Sequence, residues 1–182
     1  RSVVQKQNFR ELFQTIDAAK DLGLDAVSFL PVDVATEAFN RGDGVTVEQV
    51  SDLSLIKEEV AEFAGVVEDL IQNRPEEFES GFIMESPAKM RRMLKFFQAV
   101  VGDTDFPEVR CNAPWVSAVV ESDGRVLPCF FQSSFGHIKE GRLDTIINSK
   151  SAIAFRKNLD VRNDSICQKC VCSLELGPRG IV

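Results

Sequence analysis

The sequence predicts an α/β fold in two parts: βα units of a larger sheet or barrel over residues 1–102, then a smaller α+β region with a β-hairpin over 103–182. Three observations carry this. Residues 3–34 alternate strand, helix and strand, the pattern of a βαβ unit. Two stretches with 3.6-residue apolar periodicity follow, near 52–73 and 86–101. From Asp103 the texture changes to short β-rich runs around Asp123-Gly124, a strong hairpin signal, and every cysteine lies beyond that point.

The elements follow in order. Asn8 is placed to cap a helix whose apolar positions are Phe9, Leu12, Phe13, Ile16 and Ala19, and Gly23 is suited to stop it. The next run, from Asp25 to Leu30, is short, apolar and ended by Pro31, as a buried parallel strand would be. A loop with Gly42-Asp43-Gly44 leads to the helix over 52–73, with Leu53, Ile56, Val60, Phe63, Val67, Leu70 and Ile71 as its buried stripe. The segment from Asn73 to Glu85 reads as a linker. Ser86-Pro87 form an N-cap and first-turn pair opening a helix with Met90, Leu94, Phe97 and Val101 on its apolar face. The hairpin strands are expected at 115–121 and 125–131, with short helices near 143–148 and 150–158.

Bulk properties narrow the function. Twenty-one basic against 28 acidic residues give a net charge of −7, which argues against a nucleic-acid surface built from clustered Lys and Arg. No apolar run approaches the ~20 residues of a membrane span, and no signal peptide opens the chain. Five cysteines, an odd number with a CxxC pair, fit a reducing cytoplasm. The opening Arg1-Ser2-Val3-Val4, with no methionine, enters what reads as the tail of a strand, so a fragment of a longer protein is expected.

Cys111, Cys129, Cys167 and Cys170, spaced C-x17-C and then C-x2-C, carry the chemistry. Thiolates gathered in an otherwise cysteine-free acidic chain hold a disulfide, a structural zinc or an iron–sulfur cluster. Zinc ribbons ordinarily carry a CxxC in both halves, which this chain does not; cluster ligands tolerate more varied spacing. Five cysteines fill one four-thiolate site and leave one over. Cys172, two residues from Cys170, would point the opposite way in an extended segment and is read as the spare. With Asp123 and Gly124 as the two central turn residues, Ser122 faces Arg125 and Cys129 faces Ala118. Cys111 would then stand ~23 Å from Ala118 if extended, so the chain must bend at Asn112-Ala113-Pro114.

The run Cys111-x12-Gly124-x4-Cys129, with Pro128 before the cysteine, then 136–143 (GHIKEGRL), Arg156 and Cys167-x2-Cys170, resembles the SPASM/twitch domains of radical S-adenosylmethionine (radical SAM) enzymes. Full SPASM domains carry seven cysteines and two auxiliary clusters, so the shorter, twitch-type form is implied. By that resemblance Cys111, Cys129, Cys167 and Cys170 ligate one [4Fe–4S] cluster, with exchange of Cys172 for Cys170 left open. Residues 1–102 resemble the last βα units of a radical SAM partial barrel, with Leu24–Asp33 as its sixth strand. The family's Cys-x3-Cys-x2-Cys loop is absent from this sequence. S-adenosylmethionine and a second [4Fe–4S] cluster are therefore implied only for a full-length protein. The resemblance further implies a radical SAM oxidoreductase or maturase, a peptide, protein or sugar-type substrate, and an electron donor such as a flavodoxin or ferredoxin. A zinc-stabilised, non-redox binding module and a degenerate peptide-binding scaffold are the rival readings.

Other candidates are weaker. Asp33, near a strand's carboxyl end, is a substrate or adenosine contact or a loop-capping carboxylate. His137, the only histidine, reads as a hydrogen-bonded loop residue rather than a ligand or proton carrier. Trp115 is expected to pack in the core and shield the cluster. Glu58-Glu59 and Glu76-Glu77 read as solvated faces.

Overall fold

The computed structural model describes residues 1–36 and 46–177, and these fall into two compact units: 1–34 with 46–107, and a second that takes in 108–177. The Gly42-Asp43-Gly44 loop and residues 178–182 lie outside the described residues. The fold is mixed, with helices around small sheets. Among the described residues no helix is long and apolar enough to cross a membrane.

In the first unit, β1 (Ser2–Val4) and β2 (Phe29–Pro31) pair in parallel, with Val3 opposite Leu30, and α1 (Leu12–Asp21) connects them. Parallel strands need such a crossover, so the βαβ expectation is met. The helix starts later than its periodicity suggested. Asn8 instead closes the preceding turn, accepting from Gln5 N at 2.9 Å and donating to Val3 O at 3.0 Å. Gly23, at φ +67°, follows the helix end as expected.

The helix expected over 52–73 is two helices, α2 (Val47–Leu53) and α3 (Lys57–Asn73). Local hydrogen bonding outcompetes a continuous helix here. Thr46 and Gln49 form a capping box on α2, and the Glu59 carboxylate accepts from Ile56 N at 3.0 Å, capping α3. Ile56, assigned to the buried stripe, is therefore a cap and is 46% exposed. The expected linker holds α4 (Pro75–Glu79), and beyond it Ile83 makes a parallel bridge with Val27 beside β2.

Helix α5 (Pro87–Val100) begins at Ser86, whose Oγ accepts from Lys89 N at 3.3 Å. Its buried face is Met90, Met93, Phe96, Phe97 and Ala99, rotated from the expected one because α3 lies against it. Phe9, Phe63 and Phe97 are fully buried and meet edge to face, with centroids 6.1 and 5.6 Å apart. Each such pair adds about 0.5–1.5 kcal/mol beyond its buried area. Glu77, expected on a solvated face, is buried, because Lys20 of α1 (2.6 Å) and Arg74 (3.1 Å) converge on its Oε1.

In the second unit a helical turn, α6 (Ala113–Val116), precedes a three-stranded antiparallel sheet of β3 (Val119–Val120), β4 (Arg125–Leu127) and β5 (Gly136–His137). The strands are shorter than expected, and the register differs by one residue: Val120 faces Val126, so Glu121 faces Arg125. The turn uses three residues rather than two. Gly124 N donates to Glu121 O, and Gly124 takes φ +95°, the position that a three-residue hairpin gives to glycine. Helices α7 (Leu143–Ile147) and α8 (Lys150–Asn158) form close to the expected places, and α9 (Ser165–Gln168) carries the first cysteine of the CxxC pair.

Candidate metal centre

Three local devices place the cysteines. Asn112, next to Cys111, grips the segment after the CxxC pair. Its N–H donates to Leu174 O at 2.7 Å, its amide donates to Leu176 O at 2.8 Å, and its Oδ1 accepts from Leu176 N at 3.0 Å. The bend expected at 112–114 is present as α6, and it also carries this clamp across 64 positions of sequence. Cys129 lies two residues past β4, in the turn leading towards β5.

The third device is Asp164. As the N-cap of α9 it accepts from Ile166 N at 3.1 Å and Cys167 N at 2.8 Å, fixing the first turn on which Cys167 sits. Cys170 N then donates to Cys167 O at 3.0 Å, closing the CxxC turn. Gln132, 7% exposed, donates from Nε2 to Asp164 Oδ1 at 2.9 Å and to Cys167 Sγ at 3.5 Å. The sequence carries a signal for Asp164, a helix-capping residue three before a cysteine. It carries none for Gln132.

All five cysteines are half-buried. Burial pushes the Cys170 thiol up to about 12; the Cys172 N–H, 3.4 Å from Cys170 Sγ, opposes this, and Cys111, Cys129 and Cys172 add charge repulsion. Cys167 is also pushed up to about 12, by burial first and then by its thiol bond to the Asp164 carboxylate, with Gln132 opposing. Cys129 is raised by burial, against the pull of the Phe131 and Gln132 backbone N–H groups, and it feels Cys111 and Asp164. Cys111, Cys129, Cys167 and Cys170 thus lie in one connected electrostatic neighbourhood, and Cys172 adjoins it through Cys170. Among the described residues no three His, Cys, Asp or Glu side chains form a group that could hold a metal ion as they stand.

The remaining candidates take other places. Trp115 is 47% exposed on the four-residue helical turn α6, so the expected core packing is not found. His137 is hydrogen-bonded, as expected, but it ends strand β5 rather than standing in a loop. Its Nδ1 accepts from Lys139 N at 3.0 Å, which leaves the proton on Nε2 to donate to Asp123 O at 2.8 Å. Asp33 is buried two residues beyond β2, in the first unit.

No curated protein and no solved structure matches this chain. A family model does match, over about a third of it. That stretch begins at Cys111 and ends one residue after Cys170, leaving Cys172 outside. Residues 111–171 match SPASM, an iron–sulfur cluster-binding domain, which is the likeness that the cysteine, glycine and proline positions carry in the sequence.

Proposed function

We propose that this chain is the C-terminal portion of a radical SAM oxidoreductase or maturase, and that Cys111, Cys129, Cys167 and Cys170 hold one auxiliary [4Fe–4S] cluster. The observation that carries this reading is the SPASM match, whose span takes in all four of these cysteines. The second unit fits the group chemically. Four half-buried thiols share one field, and N–H donors are directed at three of the sulfurs: Phe131 and Gln132 backbone at Cys129, the Gln132 side chain at Cys167, and Cys172 at Cys170. Thiols raised to about 12 are protonated as bare groups, so iron must displace their protons on binding.

When bound, the cluster supplies low-potential one-electron transfer, either accepting an electron from a substrate radical or passing one on, or it anchors substrate. The chain's own residues exclude water by burial, orient the thiolates through Asn112 and Asp164, and set the field at the sulfurs. Residues 1–102 serve as the last βα units of a partial barrel, and 103–182 as the auxiliary domain. The parallel β1–β2 pair with its connecting helix supports the first assignment. S-adenosylmethionine and a second [4Fe–4S] cluster belong to a Cys-x3-Cys-x2-Cys loop outside these residues. A peptide, protein or sugar-type substrate, a flavodoxin or ferredoxin donor, and a cytoplasmic location complete the proposal.

Anaerobic purification with metal analysis tests it. Iron and sulfide near four each per chain, with a brown chromophore, are expected. Stoichiometric zinc in a colourless protein would instead establish a zinc-stabilised module and end the redox reading.

A further inference from the structure

Gln132 is a glutamine with no role assigned by the motif, yet it is among the most buried polar side chains of the second unit. Its Nε2 meets two acceptors, Asp164 Oδ1 at 2.9 Å and Cys167 Sγ at 3.5 Å. A primary amide carries two N–H groups, so both bonds can form at once. The amide presents its N–H groups to both: the Asp164 carboxylate is an acceptor, and the Cys167 sulfur becomes a stronger one once it ligates as a thiolate. Asp164 in turn is held by the backbone N–H groups of Ile166 and Cys167. The triad Gln132–Asp164–Cys167 is therefore a closed network around a single sulfur.

We propose that Gln132 is a positioning residue that tunes the redox centre through an N–H···S bond to Cys167, with Asp164 aiming the amide and opposing it electrostatically. This rests on the cluster reading above. Reduction adds one electron to the centre, and no bond forms or breaks in the step. The added negative charge is spread over the ligating sulfurs, so an N–H donor at Cys167 stabilises the reduced state more than the oxidised one. The Asp164 carboxylate, close to the same sulfur, stabilises the oxidised state instead.

The two residues therefore have opposite signs, which a purely structural role would not produce. Gln132→Met removes both donors at nearly constant volume and should move the midpoint potential to more negative values. Asp164→Asn keeps an acceptor oxygen for Gln132, Ile166 and Cys167 but removes the charge, and should move it to more positive values. The experiment is an EPR-monitored redox titration with dithionite on the anaerobically purified chain and both variants, with iron, sulfide and zinc measured on each. Opposite shifts at unchanged iron content are expected. An unchanged potential in Gln132→Met, with iron retained, overturns the tuning role alone. If Gln132→Met does not keep its iron, Asp164→Asn decides: a positive shift upholds the network, whereas no shift or loss of iron there too overturns it in favour of a folding role. A parent chain that holds zinc and no sulfide overturns the cluster reading itself, and the tuning proposal with it.

Discussion

Replacing Gly124 with alanine puts a methyl group where the hairpin has no room for one. The new Cβ would lie 2.6 Å from His137 Cε1 and 2.9 Å from both His137 Nε2 and Ile138 Cγ1. A flexible side chain could swing aside, but the His137 ring is tied at both nitrogens, to Asp123 O at 2.8 Å and Lys139 N at 3.0 Å. Moving it sacrifices those bonds, at about 0.5–1.5 kcal/mol each. The backbone adds a second cost, because φ at Gly124 is +95°, where a Cβ costs roughly 1–2 kcal/mol. Together these put Gly124→Ala at about 2–5 kcal/mol of lost stability. Trp115, the only tryptophan in the chain, sits in the same unit, so fluorescence-monitored urea unfolding reports on it. The clash and the torsion can be separated with Gly124→Ala in a His137→Ala background, where the ring is gone and about 1 kcal/mol or more should be recovered as coupling. A Gly124→Ala protein within about 0.5 kcal/mol of the parent refutes the reasoning. So does an equal cost in both backgrounds, which would remove the ring from the account.

Further outcomes follow from the same structure. Cys129→Ala should abolish iron retention and Cys172→Ala should leave it intact, as read by iron and sulfide analysis; the reverse pattern would overturn the ligand assignment. Asn112→Ala removes two side-chain hydrogen bonds that hold the segment after Cys170 beside Cys111, and should cost about 1–3 kcal/mol and lower iron retention; unchanged urea midpoint and iron content would refute the clamp. The Glu77 carboxyl lies at about 2 against an ordinary 4.5, chiefly because Lys20 donates to it, with burial opposing and Arg74 adding. That gap corresponds to about 3 kcal/mol unscreened. With the Lys20 side chain 44% exposed, solvent reduces it to about 1–2 kcal/mol. Because the folded value is the lower one, this stability is fully present above pH 4.5 and is lost as pH falls towards 2. Glu77→Gln should therefore be less stable than the parent at neutral pH and equal to it near pH 2, and a pH-independent difference would refute the ion-pair account.

Residues whose partners lie close in sequence were legible without coordinates. Ser86 and Pro87 opened α5, Gly23 followed α1, and Asp123-Gly124 marked a hairpin, because caps and turns are settled by a few neighbouring torsions and hydrogen bonds. The βαβ pairing was legible for the same reason, since a buried strand and an amphipathic helix each announce themselves by period. The iron–sulfur likeness was legible too, as cysteine, glycine and proline spacing is a property of the chain. Where two local patterns competed, period alone misled: the 52–73 stripe ran through Ile56, although Glu59 caps a new helix there. The hairpin register depended on whether the turn took two residues or three, and the three-residue turn sets Gly124 close against His137.

What no reading of spacing could supply is the shell around the sulfurs. Asn112 reaches 64 positions along the chain to Leu176, and Gln132 reaches 32 to Asp164 and 35 to Cys167. Neither residue type is rare, and neither position stands out by periodicity. Their roles exist only once β4, α6 and α9 have folded into one unit. Burial then makes an amide's two N–H groups find the acceptors present, because leaving them unpaired away from water costs more than ordering them. The chain's linear order names the thiols; folding decides which polar groups face them, and so sets the field in which they work.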